Sequence, residues 1–280
     1  MQFWKMHGLG NDYIVVDDRD NKINSLKAAE LAKRLCERRF SIGADGLLLV
    51  SESKVADAKM RIFNADGSEA EMCGNGIRCF AKYCYETSVV KKKEFPIETL
   101  SGVKCVELRI KRNVVNAVKV DMGEPNWERN SLPMVGKGVC VNENLQVDGE
   151  VFKVTCLSIG NPHCVIFVDN VEDFPIDQIG PKIENHNVFP KRTNVDFVQF
   201  LNKGQLKIRV WERGCGETLA CGTGTCASVA AANRLGKVGD KVTVHLLGGC
   251  LKVEANAGRL FLSGEAKKVF EGTLFEEAQT

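Results

Sequence analysis

Two stretches of the chain alternate apolar and polar side chains in the same way. Residues 58–64 and 206–212 each place an apolar residue at every second position, include a large aromatic and end on a polar residue. That is the pattern of a half-buried strand. Each gives way to a turn-rich segment, Asn64-Ala65-Asp66-Gly67 or Arg213-Gly214-Cys215-Gly216. A cysteine and Gly-x-Gly follow, then a helical segment over residues 77–85 or 225–235. A further helix is predicted over 26–39, with Leu31, Leu35 and Cys36 on its apolar face and Asn24 or Ser25 as its cap. Most of the remainder reads as strands, among them 103–110, 114–122 and 241–247.

The likeness of the two stretches extends to their surroundings. Met60-Arg61-Ile62-Phe63-Asn64 and Ile208-Arg209-Val210-Trp211-Glu212 are 148 positions apart. At that offset Glu69 falls on Glu217, Cys73 on Cys221, and Gly74-Asn75-Gly76 on Gly222-Thr223-Gly224. Gly46-Leu47-Leu48-Leu49-Val50 falls on Asn194-Val195-Asp196-Phe197-Val198. Gly10-Asn11-Asp12-Tyr13 resembles Gly160-Asn161-Pro162-His163 at an offset of 150. Matches in order at a nearly constant offset mark an internal duplication. The expected architecture is α+β, with two pseudo-symmetric domains. The first half comprises residues 1–120 plus a C-terminal segment 266–280 and carries Cys73. The second comprises 121–265 and carries Cys221, with the active site in the cleft between them.

The duplication selects two of the twelve cysteines. A second regularity competes with it: Cys73, Cys79 and Cys84 have the same spacing as Cys215, Cys221 and Cys226. That alignment matches none of the flanking motifs and lacks the paired spacing of structural zinc sites, so no metal is assigned. The other ten cysteines are expected to be small, reduced core residues.

Each selected cysteine precedes a helix, where N–H groups point outward and the helix dipole favours negative charge. Such an end accepts a carboxylate or phosphate and draws a thiol's pKa down from about 8.5 toward neutrality. Two such ends around one carbon would hold a carboxylate and place a sulfur on each face. One thiolate would then remove a proton while a thiol on the opposite face delivers another. The alternative is a duplicated turn with only a packing role.

With 38 Lys+Arg against 36 Asp+Glu, the formal charge is +2, which argues against nucleic acid or an anionic membrane as partner. No apolar run reaches the roughly 18–20 residues that span a bilayer. The N-terminal residues lack a secretory core, so a cytoplasmic protein is expected.

The run Asn64-Ala65-Asp66-Gly67-Ser68-Glu69 with Cys73-Gly74-Asn75-Gly76-Ile77-Arg78-Cys79 resembles the first signature of diaminopimelate epimerases. Glu212-Arg213-Gly214, Gly216-Glu217-Thr218 and Ala220-Cys221-Gly222-Thr223-Gly224 resemble the second. Lys5 to Asp12, Gly160 to His163 and Arg192-Thr193-Asn194 fit the same family. The resemblance implies two halves, each a mixed β-sheet or barrel wrapped around a central α-helix. It implies cofactor-independent interconversion of LL- and meso-diaminopimelate, in lysine and peptidoglycan precursor biosynthesis, by a homodimer. Cys73 and Cys221 would be the acid/base pair. Gly74, Asn75, Gly222 and Thr223 would hold the reacting carboxylate, and Glu212 the ammonium with His163 close by. Asn11, Asn64, Asn161, Asn194 and Arg213 would recognise the distal amino-acid end, since an Arg fork suits a carboxylate and Asn both donates and accepts.

Two positions depart from the family pattern: Gly46, where several members carry a polar side chain, and Cys215, where a small non-thiol residue is common. Alternatives are a two-cysteine isomerase resembling proline racemases and a non-catalytic anion-binding protein. Proline racemases typically read Cys-Gly-His-Gly where this chain has Asn75. A thiol–disulfide oxidoreductase would need Cys-x-x-Cys, which is absent from the sequence.

Overall fold

The computed structural model describes residues 1–275. Its chain divides into two compact units, Met1–Val120 with Ser263 onward, and Asp121–Leu262. The last part of the segment 266–280, residues 276–280, lies outside the described residues.

The first unit contains β1 (Gln2–Gly8), β2 (Asn11–Asp17), α1 (Ser25–Cys36), β3 (Gly46–Ser51), β4 (Ala58–Asn64), β5 (Glu69–Ala70), α2 (Gly74–Glu86), β6 (Glu94–Thr99), β7 (Gly102–Lys111) and β8 (Val114–Gly123). The second contains β9 (Cys140–Val147), β10 (Glu150–Ser158), β11 (Pro162–Phe167), α3 (Ile176–Glu184), β12 (Asn194–Asn202), β13 (Gln205–Glu212), β14 (Gly216–Thr218), α4 (Gly222–Arg234), β15 (Lys241–Leu246), β16 (Gly249–Asn256) and β17 (Arg259–Gly264). The chain returns to the first unit at Ser263, within the end of β17, and there forms β18 (Lys267–Thr273).

Strand pairing repeats from unit to unit. β18 and β1, β1 and β2, and β3 and β4 are antiparallel, whereas β2 and β3, and β4 and β6, are parallel. The second unit gives the same sequence of pairings: β9 with β10, β10 with β11 and β12 with β13 antiparallel, β11 with β12 and β13 with β15 parallel. The architecture is therefore α+β, with a mixed sheet in each half of an internal duplication.

Burial explains which helix goes where. Gly74 through Cys84 of α2 are all buried, so the helix has no solvent face. A helix covered all round belongs inside its sheet, and α2 touches β1, β2, β3, β4 and β7. In the second unit α4 touches β10, β11, β12, β13 and β16. The other helix of each unit covers the opposite sheet face. Leu31 and Leu35 of α1 pack with Leu47, Leu49 and Phe63, and Ile176 and Ile183 of α3 with Val195 and Phe197. Alternation along β3 and β12 thus turns Leu48 and Asp196, the intervening residues, toward α2 and α4.

The predicted helix over 26–39 ends early, at Cys36. Asn24 caps it, its side chain accepting the Lys27 N–H at 3.0 Å. The Leu35 and Cys36 carbonyls are taken by the N–H groups of Gly43 and Ala44, which folds the chain back toward β3 before another turn forms. Sequence reading misses α3, because Pro175 and Pro181 resemble breakers. Pro175 stands just before the helix and Pro181 lies within it, carried by packing of Ile176 and Ile183 rather than by propensity.

Candidate active site

Both duplicated cysteines are helix N-caps. Cys73 precedes α2 in extended conformation and its sulfur accepts the Gly76 N–H at 3.5 Å. Cys221 precedes α4 in the same way, accepting the Gly224 N–H at 3.4 Å. Gly74 and Asn75, or Gly222 and Thr223, fill the first turn beside each sulfur, where helical N–H groups point out of the helix end.

In the first unit Tyr13 joins the site from β2. Its hydroxyl lies 2.9 Å from Cys73 Sγ and donates to Asn11 Oδ1 at 2.6 Å. Burial, then the neighbouring Cys73, keeps the phenol well above its usual range, so it stays neutral. Asn11 also accepts from Asn75 Nδ2 at 3.2 Å and donates to Asp45 at 2.8 Å. Arg78, fully buried one turn into α2, donates to the Gly74 carbonyl and to Asn75 Oδ1. Asn64 sits exposed at the end of β4 and donates to Ser68.

The second unit puts charge where the first has neutral groups. His163 of β11 is fully buried, with Nδ1 2.8 Å from Asp196 and Nε2 3.1 Å from Asn161 Oδ1. Glu212, at the end of β13, accepts from the Thr218 hydroxyl. Burial raises its carboxyl above the usual range despite that bond. Asn194 is buried and spans two backbone groups, donating to the Pro162 carbonyl at 2.7 Å and accepting the Arg213 N–H at 2.9 Å. Arg213 itself is exposed. Buried Glu184 accepts the Gly214 N–H and the Trp211 indole N–H, which fixes the loop that carries Arg213.

One sequence expectation is corrected at Cys221. Burial first, then the charges of Glu212 and Asp196, hold its thiol well above the ordinary cysteine range. Two carboxylates in a dry setting outweigh the helix end. Another correction concerns the remaining cysteines. Cys105, Cys215 and Cys250 are exposed rather than core. Among the buried ones, burial pushes the thiols of Cys36 and Cys79 up to about 12, as expected of inert core residues. Among the described residues no group of three or more His, Cys, Asp or Glu is placed to hold a metal ion.

Gly46 has a steric reason. A Cβ there would meet the Phe63 carbonyl oxygen at 2.8 Å and the Tyr13 ring at 3.3 Å, so this backbone has no room for a side chain at that position.

The diaminopimelate epimerase family model matches residues 3–128 and 155–269, one segment in each half. The chain belongs to the diaminopimelate epimerase family. The family's enzyme from Moorella thermoacetica is 50% identical over 275 residues, covering 97% of this chain and 98% of its own. That of Pelotomaculum thermopropionicum is 51% identical over 274 residues, with 97% and 98% covered. Membership in the epimerase family makes the chain an isomerase. Among solved structures, a hydroxyproline epimerase from Agrobacterium vitis superposes with a TM-score of 0.72 at 16% identity, covering 97% of this chain and 90% of that one. At that identity the likeness is one of fold. No helix among the described residues is long and apolar enough to cross a membrane.

The diaminopimelate epimerase motifs lead to the two cysteines but not to Tyr13, Asp45, Glu184 or Asp196. Two of these leave a trace in the sequence. The repeat pairs Tyr13 with His163, and Asp196 is a charge inside the otherwise apolar run of β12.

Proposed function

We propose that the protein interconverts LL- and meso-diaminopimelate by two-thiol proton transfer at Cα. The observation that carries this reading is the pair of N-cap cysteines, at equivalent places in the duplication, each with its sulfur beside a glycine-opened helix end. In the reaction the Cα–H bond breaks as its proton joins a thiolate. A new Cα–H bond forms on the other face with the proton of the second thiol. Cys73 and Cys221 fill these roles, and the reverse reaction exchanges them. Inversion needs two groups, because a single base returns the proton to the face it left.

Gly74, Asn75, Gly222 and Thr223 receive the reacting carboxylate, whose charge spreads as Cα loses its proton. Helix ends aimed there stabilise that charge. Glu212 receives the ammonium. Its arrival offsets one of the anions that keep Cys221 protonated, so substrate binding itself readies that thiol to exchange protons. Asn11, Asn64, Asn161, Asn194 and Arg213 recognise the distal end, Asn194 in part by fixing the Arg213 backbone. The working site takes one thiol from each half, and the chemistry requires no pyridoxal phosphate or metal. On the family resemblance we further propose a cytoplasmic homodimer.

Incubating the reduced protein with LL-diaminopimelate in D₂O, without added cofactor, tests this. Deuterium enters Cα as meso product forms. A folded, reduced sample that shows neither exchange nor epimerisation overturns the assignment.

A further inference from the structure

We propose that Asp196 is a positioning residue for this reaction, acting through His163 by fixing the imidazole as a doubly protonated cation. The inference rests on the epimerase reading above and concerns a residue outside the family signatures.

Proton accounting leads to it. His163 has an oxygen acceptor on each ring nitrogen, Asp196 Oδ2 at Nδ1 and Asn161 Oδ1 at Nε2. A neutral imidazole carries one N–H and satisfies one such acceptor, whereas the cation satisfies both. Neither His163 nor Asp196 has any exposed surface. The other carboxylate oxygen, Asp196 Oδ1, has no hydrogen-bond partner. A buried carboxylate so poorly solvated requires a counter-charge at short range, and the imidazolium at 2.8 Å provides it.

The duplication supplies an internal comparison. Tyr13 stands where His163 stands, and Leu48 where Asp196 stands. Both members of the pair change together: a neutral hydroxyl lies over an apolar residue in one half, an imidazole over a carboxylate in the other. Each aims its polar atom at the equivalent asparagine, Asn11 or Asn161. A histidine needed only as a neutral donor would not require a buried anion behind it.

The cation lies by two carboxyl groups, Asp196 from β12 and Glu212 from β13. Cys221, at the head of α4, is influenced by both of them. Strand register sets His163 opposite Asn194, and Val195 opposite Trp211, so the His163 and Glu212 strand positions lie close together. The positive charge of His163 favours the ionised form of Glu212 against the burial that opposes it. Asp196 thus acts at one remove: it holds His163 charged, and His163 holds Glu212 ready for an ammonium.

The test combines the imidazole spectrum with kinetics. The chain has four histidines, so His163 can be assigned by its loss in His163→Gln. In ¹⁵N-histidine-labelled wild type, both His163 nitrogens should carry protons through neutral pH. Asp196→Asn should remove one proton at neutral pH and lower kcat about 10–100-fold, with the pH profile of kcat displaced toward acid. Asp196→Glu should restore both in part. A neutral His163 in wild type, or an Asp196→Asn variant with unchanged spectrum and pH profile, overturns the proposal. The spectrum needs no substrate, so it stands even where epimerisation fails. Wild-type labelling alone decides the charge state should Asp196→Asn not fold.

Discussion

The Tyr13 hydroxyl lies between Cys73 Sγ, at 2.9 Å, and Asn11 Oδ1, at 2.6 Å, with one proton to give. While Cys73 is a thiol, its S–H points to the phenol oxygen and the phenol donates to Asn11. Once Cys73 is a thiolate, the phenol proton turns to sulfur. Tyr13→Phe removes that donor from the charged state. A hydrogen bond to a charged group contributes about 1.5–3 kcal/mol, so kcat/KM should fall roughly 10- to 100-fold while the fold persists. Steady-state rates within twofold of wild type would show that the phenol has no part in the reaction.

Equivalent glycines should respond unequally to alanine. At Gly224 a Cβ would sit 2.3 Å from Asp196 Oδ1, whereas at Gly76 its nearest contact is the Tyr13 ring at 3.4 Å. Gly224→Ala forces the carboxylate from its place and should cost about 1–3 kcal/mol in stability with most of the activity. Gly76→Ala meets only ordinary contact, and alanine is the better helix former. Thermal denaturation of both variants makes the comparison, and equal melting temperatures would contradict it.

Glu212 is held at a cost to stability. Burial raises its carboxyl above 4.5 in the folded protein, so the folded state binds the proton more tightly than the unfolded chain. Its contribution is therefore fully present below pH 4.5 and is lost as pH rises through the folded value. Glu212→Gln removes this penalty. The variant should melt higher than wild type at neutral pH, with the gap closing toward pH 4, and should lose epimerase activity. A gap that widens on acidification would mean that the folded protein lowers the Glu212 carboxyl instead of raising it.

Oxidation should abolish activity and dithiothreitol should restore it, because each sulfur must carry a proton in half of the cycle. Exposed Cys215 lies six positions before Cys221 and offers a route to an unproductive disulfide. Cys215→Ser should retain the reduced enzyme's activity and recover faster from oxidant. Full activity in a demonstrably disulfide-linked sample would refute the requirement for free thiols.

The duplication was legible because matched side chains recur at a fixed offset. With it came the strands 58–64 and 206–212 and the two helix-capping cysteines. Legibility ended where roles depend on what stands across the sheet. Nothing beside Asp196 in sequence shows that His163 lies against it, since they meet only through the parallel pairing of β11 and β12. Nor does the signature that contains Arg78 show that its side chain is fully buried, its guanidinium turned back on the first turn of α2. The lowered thiol expected at Cys221 failed for the same reason. Helix ends are visible in sequence, but the two carboxylates that oppose this one arrive from other strands.

The first unit closes with the last strand: β18 pairs with β1, Gln2 opposite Thr273, and Arg78 donates to the Glu265 carbonyl. The second unit, Asp121–Leu262, is by contrast one uninterrupted run. On the ribosome this inverts the order of completion. At 5–20 residues per second, β1 waits roughly 10–30 s with an open edge while the second unit is made and folds. An unpaired edge strand is a template for wrong partners. The period of greatest risk of misassembly thus comes late in synthesis and falls on the half that was made first.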